Sequence, residues 1–202
     1  HPVTGALKRI AIRDTSPIFR QAVMVPGGFI WFNPASRLCR YDMGNDRFDI
    51  CLPPPKGNSV SFINSFAIDD EGLLWMTGIR TLLCLDTRTQ NFIPVDERLK
   101  VFEEGINVIY ASGNTIWFGS EKQGLVAYHK KQGLVKNYRH EKMRPSSIAT
   151  DIVTAIYADH SNNLWVATEG FGMNYTDLKL SKFMRYQMSA EGTIDFSSNF
   201  IK

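Results

Sequence analysis

Aspartates recur at one position of a repeated pattern in the chain, and paired carboxylates are a common means of acid–base catalysis. Asp42, Asp86 and Asp177 each stand four residues after a large aliphatic residue. A carboxylate in a turn also accepts hydrogen bonds from backbone N–H groups and so caps the turn. Because the three aspartates recur at the same turn, we predict that they cap turns and do not catalyse a reaction.

The four tryptophans of the chain have the ring faces that stack against sugars. They are Trp31, Trp75, Trp117 and Trp165, separated by 44, 42 and 48 residues. Residues that recur at one position of a structural repeat usually pack between neighbouring repeats. We therefore predict a structural role for the tryptophans.

The four histidines form no recognisable nucleophile–base or metal-binding pattern in the sequence. They are His1, His129, His140 and His160. The sequence leads us to expect no catalytic residue, no metal site and no cofactor, and it identifies no individual ligand-binding residue.

Two of the three cysteines flank a turn-like segment, residues 43–46, at equal distance. A hairpin centred near Asn45 would place Cys39 opposite Cys51. A cross-strand disulfide would form there in an oxidising compartment. The alternative is a pair of small buried strand residues. Together with Cys84, these cysteines lack the CxxC spacing of a zinc site.

The elements that position these residues follow from a repeat around each tryptophan. A polar or Gly-rich turn precedes an apolar residue, then Trp, then another apolar residue and a small one, as in GGFIWFN, EGLLWMTG, GNTIWFGS and NNLWVATEG. This pattern predicts a tight turn that leads into a short, mostly buried strand.

A second hairpin follows each tryptophan. Its first strand contains a large aliphatic residue, and its second strand opens on an apolar, mostly aromatic residue. The aliphatic residues are Leu38, Leu82, Leu125 and Met173, and the later ones are Phe48, Phe92, Val135 and Phe183. A further strand-like run precedes each Trp, so each unit is predicted to contain four strands.

Four-stranded units repeated every 40–50 residues are typical of a β-propeller. We predict an all-β fold of about four blades, with a short helical turn near residues 96–104. The predicted repeats cover approximately residues 17–58, 59–103, 104–147 and 148–190, and residues 191–202 begin a further blade.

Charge and hydropathy argue against a nucleic-acid-binding protein and against a membrane-spanning helix in this sequence. The net charge of +3 comes from scattered basic residues, so we expect no nucleic-acid partner. No apolar stretch approaches the roughly 20 residues that a membrane helix requires.

The segment from Pro145 to Tyr186 resembles the regulator-type propeller repeats of sensor domains in hybrid two-component systems. The resemblance rests on Ser146-Ser147-Ile148, on the run from Leu164 to Thr168, and on Gly172-Met173. The third unit matches at residues 116–120 and at Gly124-Leu125. The second unit has Thr81-Leu82 where Gly-Leu is usual, and the first unit matches least.

The resemblance implies a non-catalytic sensor segment that recognises an oligosaccharide. Such segments occupy the periplasmic or extracellular portion of an inner-membrane sensor histidine kinase. Two alternatives remain open from the sequence: a propeller enzyme of lyase or glycosidase type, and a protein-binding scaffold. Loops that differ between blades, such as residues 51–59 and 140–147, are where specificity is expected.

The chain begins and ends inside the repeat, at LKRIAIR (residues 7–13) and at residues 197–202. We therefore expect an excerpt that packs against the remainder of a parent propeller. Uncovered terminal blades also predict a homodimer.

Overall fold

The computed structural model describes residues 21–33, 38–52, 63–78, 80–102, 105–178, 183–188 and 194–195. Within them the chain forms seventeen strands and one 3₁₀ helix. The strands form four antiparallel sheets in which chain order equals spatial order. The predicted all-β propeller architecture is confirmed, with three sheets of four strands and one sheet of five.

The first two sheets contain eight strands. The first sheet consists of β1 (Ala22–Val25), β2 (Phe29–Phe32), β3 (Leu38–Asp42) and β4 (Arg47–Leu52). The second consists of β5 (Ile63–Ile68), β6 (Leu73–Gly78), β7 (Thr81–Asp86) and β8 (Asn91–Ile93). The 3₁₀ helix, Glu97–Phe102, then leads to the third sheet, at the position where the sequence predicts a helical turn.

The last two sheets contain the other nine strands. The third sheet consists of β9 (Ile106–Ser112), β10 (Thr115–Ser120), β11 (Leu125–His129) and β12 (Leu134–Tyr138). The fourth consists of β13 (Val153–Ala158), β14 (Asn163–Thr168), β15 (Met173–Asp177), β16 (Met184–Met188) and β17 (Ile194–Asp195). The fourth sheet has a fifth strand because β17 pairs with β16 at its edge.

Side chains alternate between the two faces of each strand, so an internal sheet presents apolar residues to both neighbours. Three apolar clusters fill the spaces between successive sheets. Each combines the tryptophan of one sheet with large side chains of the next: Trp31 with Phe66 and Met76, Trp75 with Ile109 and Phe118, and Trp117 with Ile156 and Val166. Burial between sheets therefore supplies the core that no single four-stranded sheet can form.

Hydrogen bonds connect successive sheets near their first strands, and Gln21 directly precedes β1. The side-chain amide of Gln21 donates to the Phe66 carbonyl at 3.2 Å, and its oxygen accepts from the Phe66 N–H at 2.8 Å. The hydroxyl of Ser65 accepts from the Ile109 N–H at 3.1 Å. These bonds fix the register between sheets that are far apart in sequence.

The predicted capping role is confirmed for Asp42 and Asp86. Asp42 Oδ1 accepts from the N–H groups of Gly44 and Asn45 at 2.9 and 3.0 Å. Asp86 Oδ1 accepts from the Arg88 N–H at 2.9 Å. Hydrogen bonds from Asn45 lower the pKa of Asp42, and the Arg88 N–H lowers that of Asp86. Both carboxylates act within their own turns.

The hairpin formed by β3 and β4 places Cys39 directly opposite Cys51, as the sequence predicts. Cys39 is disulfide-bonded. Cys84 is a buried free cysteine, and burial raises the pKa of its thiol to about 12. At Cys39, therefore, the structure adopts the disulfide alternative.

Three predicted features lie outside the described residues. They are the strand at residues 7–13, most of the loop at residues 51–59, and the terminal segment 197–202.

Candidate ligand-binding pocket between the second and third sheets

A pocket of about 410 Å³ opens between the second and third sheets, at the ends of their strands. This volume lies within the range of about 300–1,000 Å³ that is usual for small-molecule sites. Its walls come from the β6–β7 turn, the β10–β11 turn and the starts of the first strands. The lining residues are Asn64, Gly78, Arg80, Gly105, Glu121, Lys122 and Gln123.

The pocket lies where the repeat is irregular. Only residues 79–80 separate β6 from β7, whereas four residues separate β10 from β11 and β14 from β15. The short turn takes its left-handed residue from Arg80, with φ of 53°. Within the described residues, three other non-glycine residues adopt this uncommon conformation, all in turns: Asp46, Gln90 and Asn162. The second-sheet turn is two residues shorter than these turns, and the pocket occupies the space that it leaves.

The four-residue turn of the third sheet, between β10 and β11, follows the regular pattern and requires a glycine at its last position. Gly124 has φ of +80°, and a Cβ placed on it would lie 2.2 Å from the Tyr138 carbonyl oxygen. Thr81 occupies the corresponding place in the second sheet and begins β7. Regulator-type repeats usually have Gly-Leu at this place, and the second repeat has Thr81-Leu82. This difference is the sequence signal that marks the pocket.

Hydrogen bonds hold the pocket-lining β10–β11 turn in place. The hydroxyl of Ser120 accepts from the Gln123 N–H at 2.6 Å, and the Glu121 N–H donates to the Gly105 carbonyl at 2.7 Å. Arg139 donates to the Lys122 carbonyl at 2.9 Å and pairs with Asp151 at 2.8 Å. The wall of the pocket is therefore preorganised by hydrogen bonds to its backbone, and the side chains of Glu121 and Lys122 are exposed at its rim.

The chemistry of the lining is polar and mixed in charge. The charged groups are two cations, Arg80 and Lys122, and one carboxylate, Glu121. Asn64 and Gln123 add amides, which both donate and accept hydrogen bonds. Such a lining suits a ligand that has many hydroxyl groups. None of these residues was identified as a site from the sequence, where each looks like an ordinary surface residue.

The tryptophans behave as predicted in three of the four sheets. Trp31, Trp75 and Trp117 are buried between sheets and do not line the pocket. Trp165 is only half-buried and packs against Tyr175, with ring centroids 4.8 Å apart. It differs because it lies on the face of the fourth sheet that points away from the third.

A second set of aspartates orients two of the tryptophans. Asp69 Oδ2 accepts from Trp75 Nε1 at 3.0 Å, and Asp159 Oδ2 accepts from Trp165 Nε1 at 3.1 Å. Burial raises the pKa of Asp69, but hydrogen bonds from Lys130 and Trp75 outweigh it, so the pKa is lowered overall. The Asp177 carboxylate, a predicted turn cap, lies at the end of β15. None of these aspartates lines the pocket.

The described residues contain no cluster of three His, Cys, Asp or Glu residues that could hold a metal ion. Among them there is also no helix with the length and hydropathy of a membrane span.

Comparison with known proteins defines the class of the protein. The fold is similar to the extracellular domain of BT4673 from B. thetaiotaomicron, named as a one component system, with a TM-score of 0.73 and 16% identity over 92% of the chain. It is also similar to the RRP9 WD40 repeats, with a TM-score of 0.65 and 13% identity over 86% of the chain and 52% of that structure. The protein is a β-propeller.

The type of repeat follows from two further matches. Residues 147–170 match the Two component regulator propeller family. The extracellular domain of BT3049 from B. thetaiotaomicron, named as a hybrid two component system, is 26% identical over 64% of the chain, with a TM-score of 0.54. Residues 147–170 therefore carry a regulator-type propeller repeat, as the sequence predicts for the fourth unit.

The chain spans 24% of the BT4673 domain and 19% of the BT3049 domain. No curated protein matches the chain.

Proposed function

We propose that the chain is a sensory segment of a two-component signalling protein and that it binds an oligosaccharide without catalysing a reaction. The regulator-type repeat and the similarity to extracellular domains of two-component systems support the sensory role. The pocket between the second and third sheets is the proposed binding site.

The position of the pocket is the observation that carries this proposal. A propeller gains specificity where its blades differ, because identical repeats present identical surfaces. The two-residue β6–β7 turn is the departure from the repeat that opens the pocket, and the preorganised β10–β11 turn forms its opposite wall.

The lining residues suit a sugar because hydroxyl groups both donate and accept hydrogen bonds. Glu121 accepts, Arg80 and Lys122 donate, and the amides of Asn64 and Gln123 do both. In this arrangement the protein orients the ligand through several directional bonds. An oligosaccharide fits such a lining better than an apolar ligand does.

The proposed location is outside the cytoplasmic membrane, in the periplasm or at the cell surface. The disulfide at Cys39 supports it, because structural disulfides persist in oxidising compartments and are rare in the cytosol. The extracellular location of the similar domains supports it independently.

A thermal-shift screen against a panel of oligosaccharides tests the proposal. A ligand at a hundredfold excess over its Kd stabilises the folded protein by about 2.7 kcal/mol, which is easily detected. We expect the shift to be strongly reduced by Lys122→Ala, which removes a rim cation but retains the carbonyl that Arg139 binds.

Lys131→Ala is the matched control, because Lys131 is an exposed lysine in the β11–β12 turn and does not line the pocket. A glycan shift that survives both Lys122→Ala and Gln123→Leu would place the ligand elsewhere. Release of cleavage products during incubation with the bound glycan would contradict the non-catalytic role and support the enzyme alternative.

A further inference from the structure

The β14–β15 turn carries an exposed aromatic ring. Phe171 is 50% exposed, and among the described residues it belongs to none of the apolar clusters between sheets. Backbone hydrogen bonds hold the turn: the Thr168 N–H donates to the Gly172 carbonyl at 3.0 Å, and the Glu169 N–H donates to the Ile152 carbonyl at 3.0 Å. The turn thus presents the ring from a fixed backbone, and the ring is not needed to fill the core.

This turn lies next to the β10–β11 turn, which forms one wall of the pocket. The Gly124 N–H, at the end of the β10–β11 turn, donates to the Asp151 carbonyl at 2.9 Å. The following residue, Ile152, accepts from the Glu169 N–H, at the start of the β14–β15 turn. The two turns therefore lie on either side of the same short segment, Asp151-Ile152, and at the same end of their sheets.

Phe171 occupies the position in its turn that Gln123 occupies in the β10–β11 turn. Each is the third of four turn residues and is followed by a glycine with positive φ, 80° at Gly124 and 73° at Gly172. Gln123 lines the pocket that its turn shares with the preceding sheet. By this equivalence, we expect the Phe171 ring on the side of its turn that faces the third sheet and the pocket.

The two turns offer complementary chemistry to a sugar. The pocket lining is polar, and none of the described residues that form it is aromatic. A sugar unit also has an apolar face of C–H groups, which packs well against a flat aromatic ring. Glu169, exposed in the same turn as Phe171, adds a carboxylate that accepts hydrogen bonds from hydroxyl groups.

We propose that Phe171 and Glu169 form a second sugar subsite beside the pocket. The Phe171 ring stacks on the apolar face of one sugar unit, and the Glu169 carboxylate accepts hydrogen bonds from its hydroxyl groups. This inference rests on the proposed function, because the pocket binds another part of the same oligosaccharide. A ligand that crosses the Asp151-Ile152 segment occupies both subsites, whereas a disaccharide occupies the pocket alone.

Calorimetric titration with oligosaccharides of increasing length tests the second subsite. The probes are cello-, xylo-, manno-, galacto- and galacturono-oligosaccharides, each as the disaccharide and the hexasaccharide. We expect Phe171→Ala to weaken binding of the hexasaccharide about fivefold, because the stacking surface is lost, and to leave binding of the disaccharide unchanged.

Leu134→Ala is the matched control. Leu134 is 52% exposed, much like Phe171, but it follows the β11–β12 turn at the opposite end of the third sheet. We expect this variant to bind both probes as the wild type does.

Phe171→Trp keeps a stacking ring and supplies a fluorescent reporter. Trp31, Trp75 and Trp117 are buried, so the introduced indole is far more accessible to acrylamide than they are. We expect the hexasaccharide to reduce acrylamide quenching of this variant more than that of the wild type, and the disaccharide to leave quenching unchanged.

The outcomes separate the second subsite from the pocket. If Phe171→Ala weakens neither probe, or weakens both equally, the second subsite is overturned. The pocket and the proposed function stand in that case provided that Lys122→Ala still reduces binding. If none of the probes binds the wild type, the second subsite and the proposed function are overturned together.

Discussion

At the scale of single residues, the environment of each tryptophan indole depends on the residue six positions before it. Asp69 and Asp159 accept hydrogen bonds from Trp75 and Trp165. The first and third repeats have Val25 and Ala111 at that position. The indole N–H groups of Trp31 and Trp117 are buried and have no hydrogen-bond partner within the part of the chain that the structure describes. The apolar residue at this position accounts for the missing acceptor.

Substitutions of the buried pair Asp69 and Lys130 should have strongly coupled effects on the unfolding free energy. Asp69→Ala leaves the ammonium of Lys130 buried with only the Glu71 carboxylate, 3.3 Å away, so we expect a loss of about 3–5 kcal/mol in unfolding free energy. The third repeat and the fourth sheet have apolar residues, Ala111 and Leu178, at the equivalent positions. Asp69→Ala combined with Lys130→Leu should therefore regain at least about 1 kcal/mol.

Denaturant unfolding of the wild type, the two single variants and the double variant measures this coupling in a double-mutant cycle. Additive effects of the two substitutions would show that the pair contributes no interaction energy.

Acid should destabilise the protein through its aspartates. Hydrogen bonds from Asn163 and Trp165 lower the pKa of Asp159 from 3.8 to about 2. A carboxyl group whose pKa is lower in the folded state stabilises that state at pH above its unfolded pKa, and this contribution is lost as the pH falls through the folded value. The unfolding free energy should therefore decline between pH 4 and pH 2, and Asp159→Asn should make the decline shallower. Urea unfolding at several pH values measures both slopes, and identical slopes would contradict the assignment.

At the scale of the elements, the lengths of the turns decide where the pocket lies. The four-residue β10–β11 turn brings Gly124 close to the end of β12, and the Gly124 N–H donates to the Asp151 carbonyl at 2.9 Å. The two-residue β6–β7 turn leaves that space open above the second sheet. A change of two residues in one turn therefore separates a structural interface from a candidate binding site.

Gly124→Ala should be much more destabilising than Gly170→Ala. Both glycines have positive φ, +80° and +72°, so each substitution costs about 1–2 kcal/mol from the left-handed backbone. A Cβ at Gly124 also meets the Tyr138 carbonyl oxygen at 2.2 Å, whereas nothing lies within 4 Å at Gly170. We expect an additional loss of about 1–3 kcal/mol for Gly124→Ala from this overlap. Thermal or denaturant unfolding of the two variants measures the difference, and equal losses would show that the turn relaxes without cost.

At the scale of the whole molecule, stability should be unevenly distributed among the sheets. The second and third sheets pack on both faces, whereas the fourth packs only against the third within the described residues. In stacked repeats, each unit is stabilised mainly by contacts with its neighbours. The fourth sheet therefore lacks one of the two interfaces that its neighbours have.

Native-state hydrogen exchange should reveal this difference. We expect amides of β14 and β15 to exchange faster than the equivalent amides of β6, β7, β10 and β11, because local opening of the fourth sheet breaks only one interface. Equal protection in all three sheets would indicate that the 202-residue chain opens as one cooperative unit.

The sequence by itself determined the features that depend on residues close together in the chain. The Trp repeat predicted the sheets, Asp42 and Asp86 were recognised as turn caps, and the spacing around Asn45 placed Cys39 opposite Cys51. Turn geometry and strand pairing operate over a few residues, so the local pattern was sufficient.

Only the tertiary structure decided the pocket, the Asp69–Lys130 pair and the exposure of Trp165. The pair joins residues 61 positions apart, and the pocket joins turns of two sheets. The departure from Gly-Leu at Thr81-Leu82 was visible in the sequence, but its meaning depends on which residues the third sheet brings opposite it. Trp165 has the same local pattern as the other tryptophans and differs because burial depends on a neighbouring sheet, which no local pattern encodes.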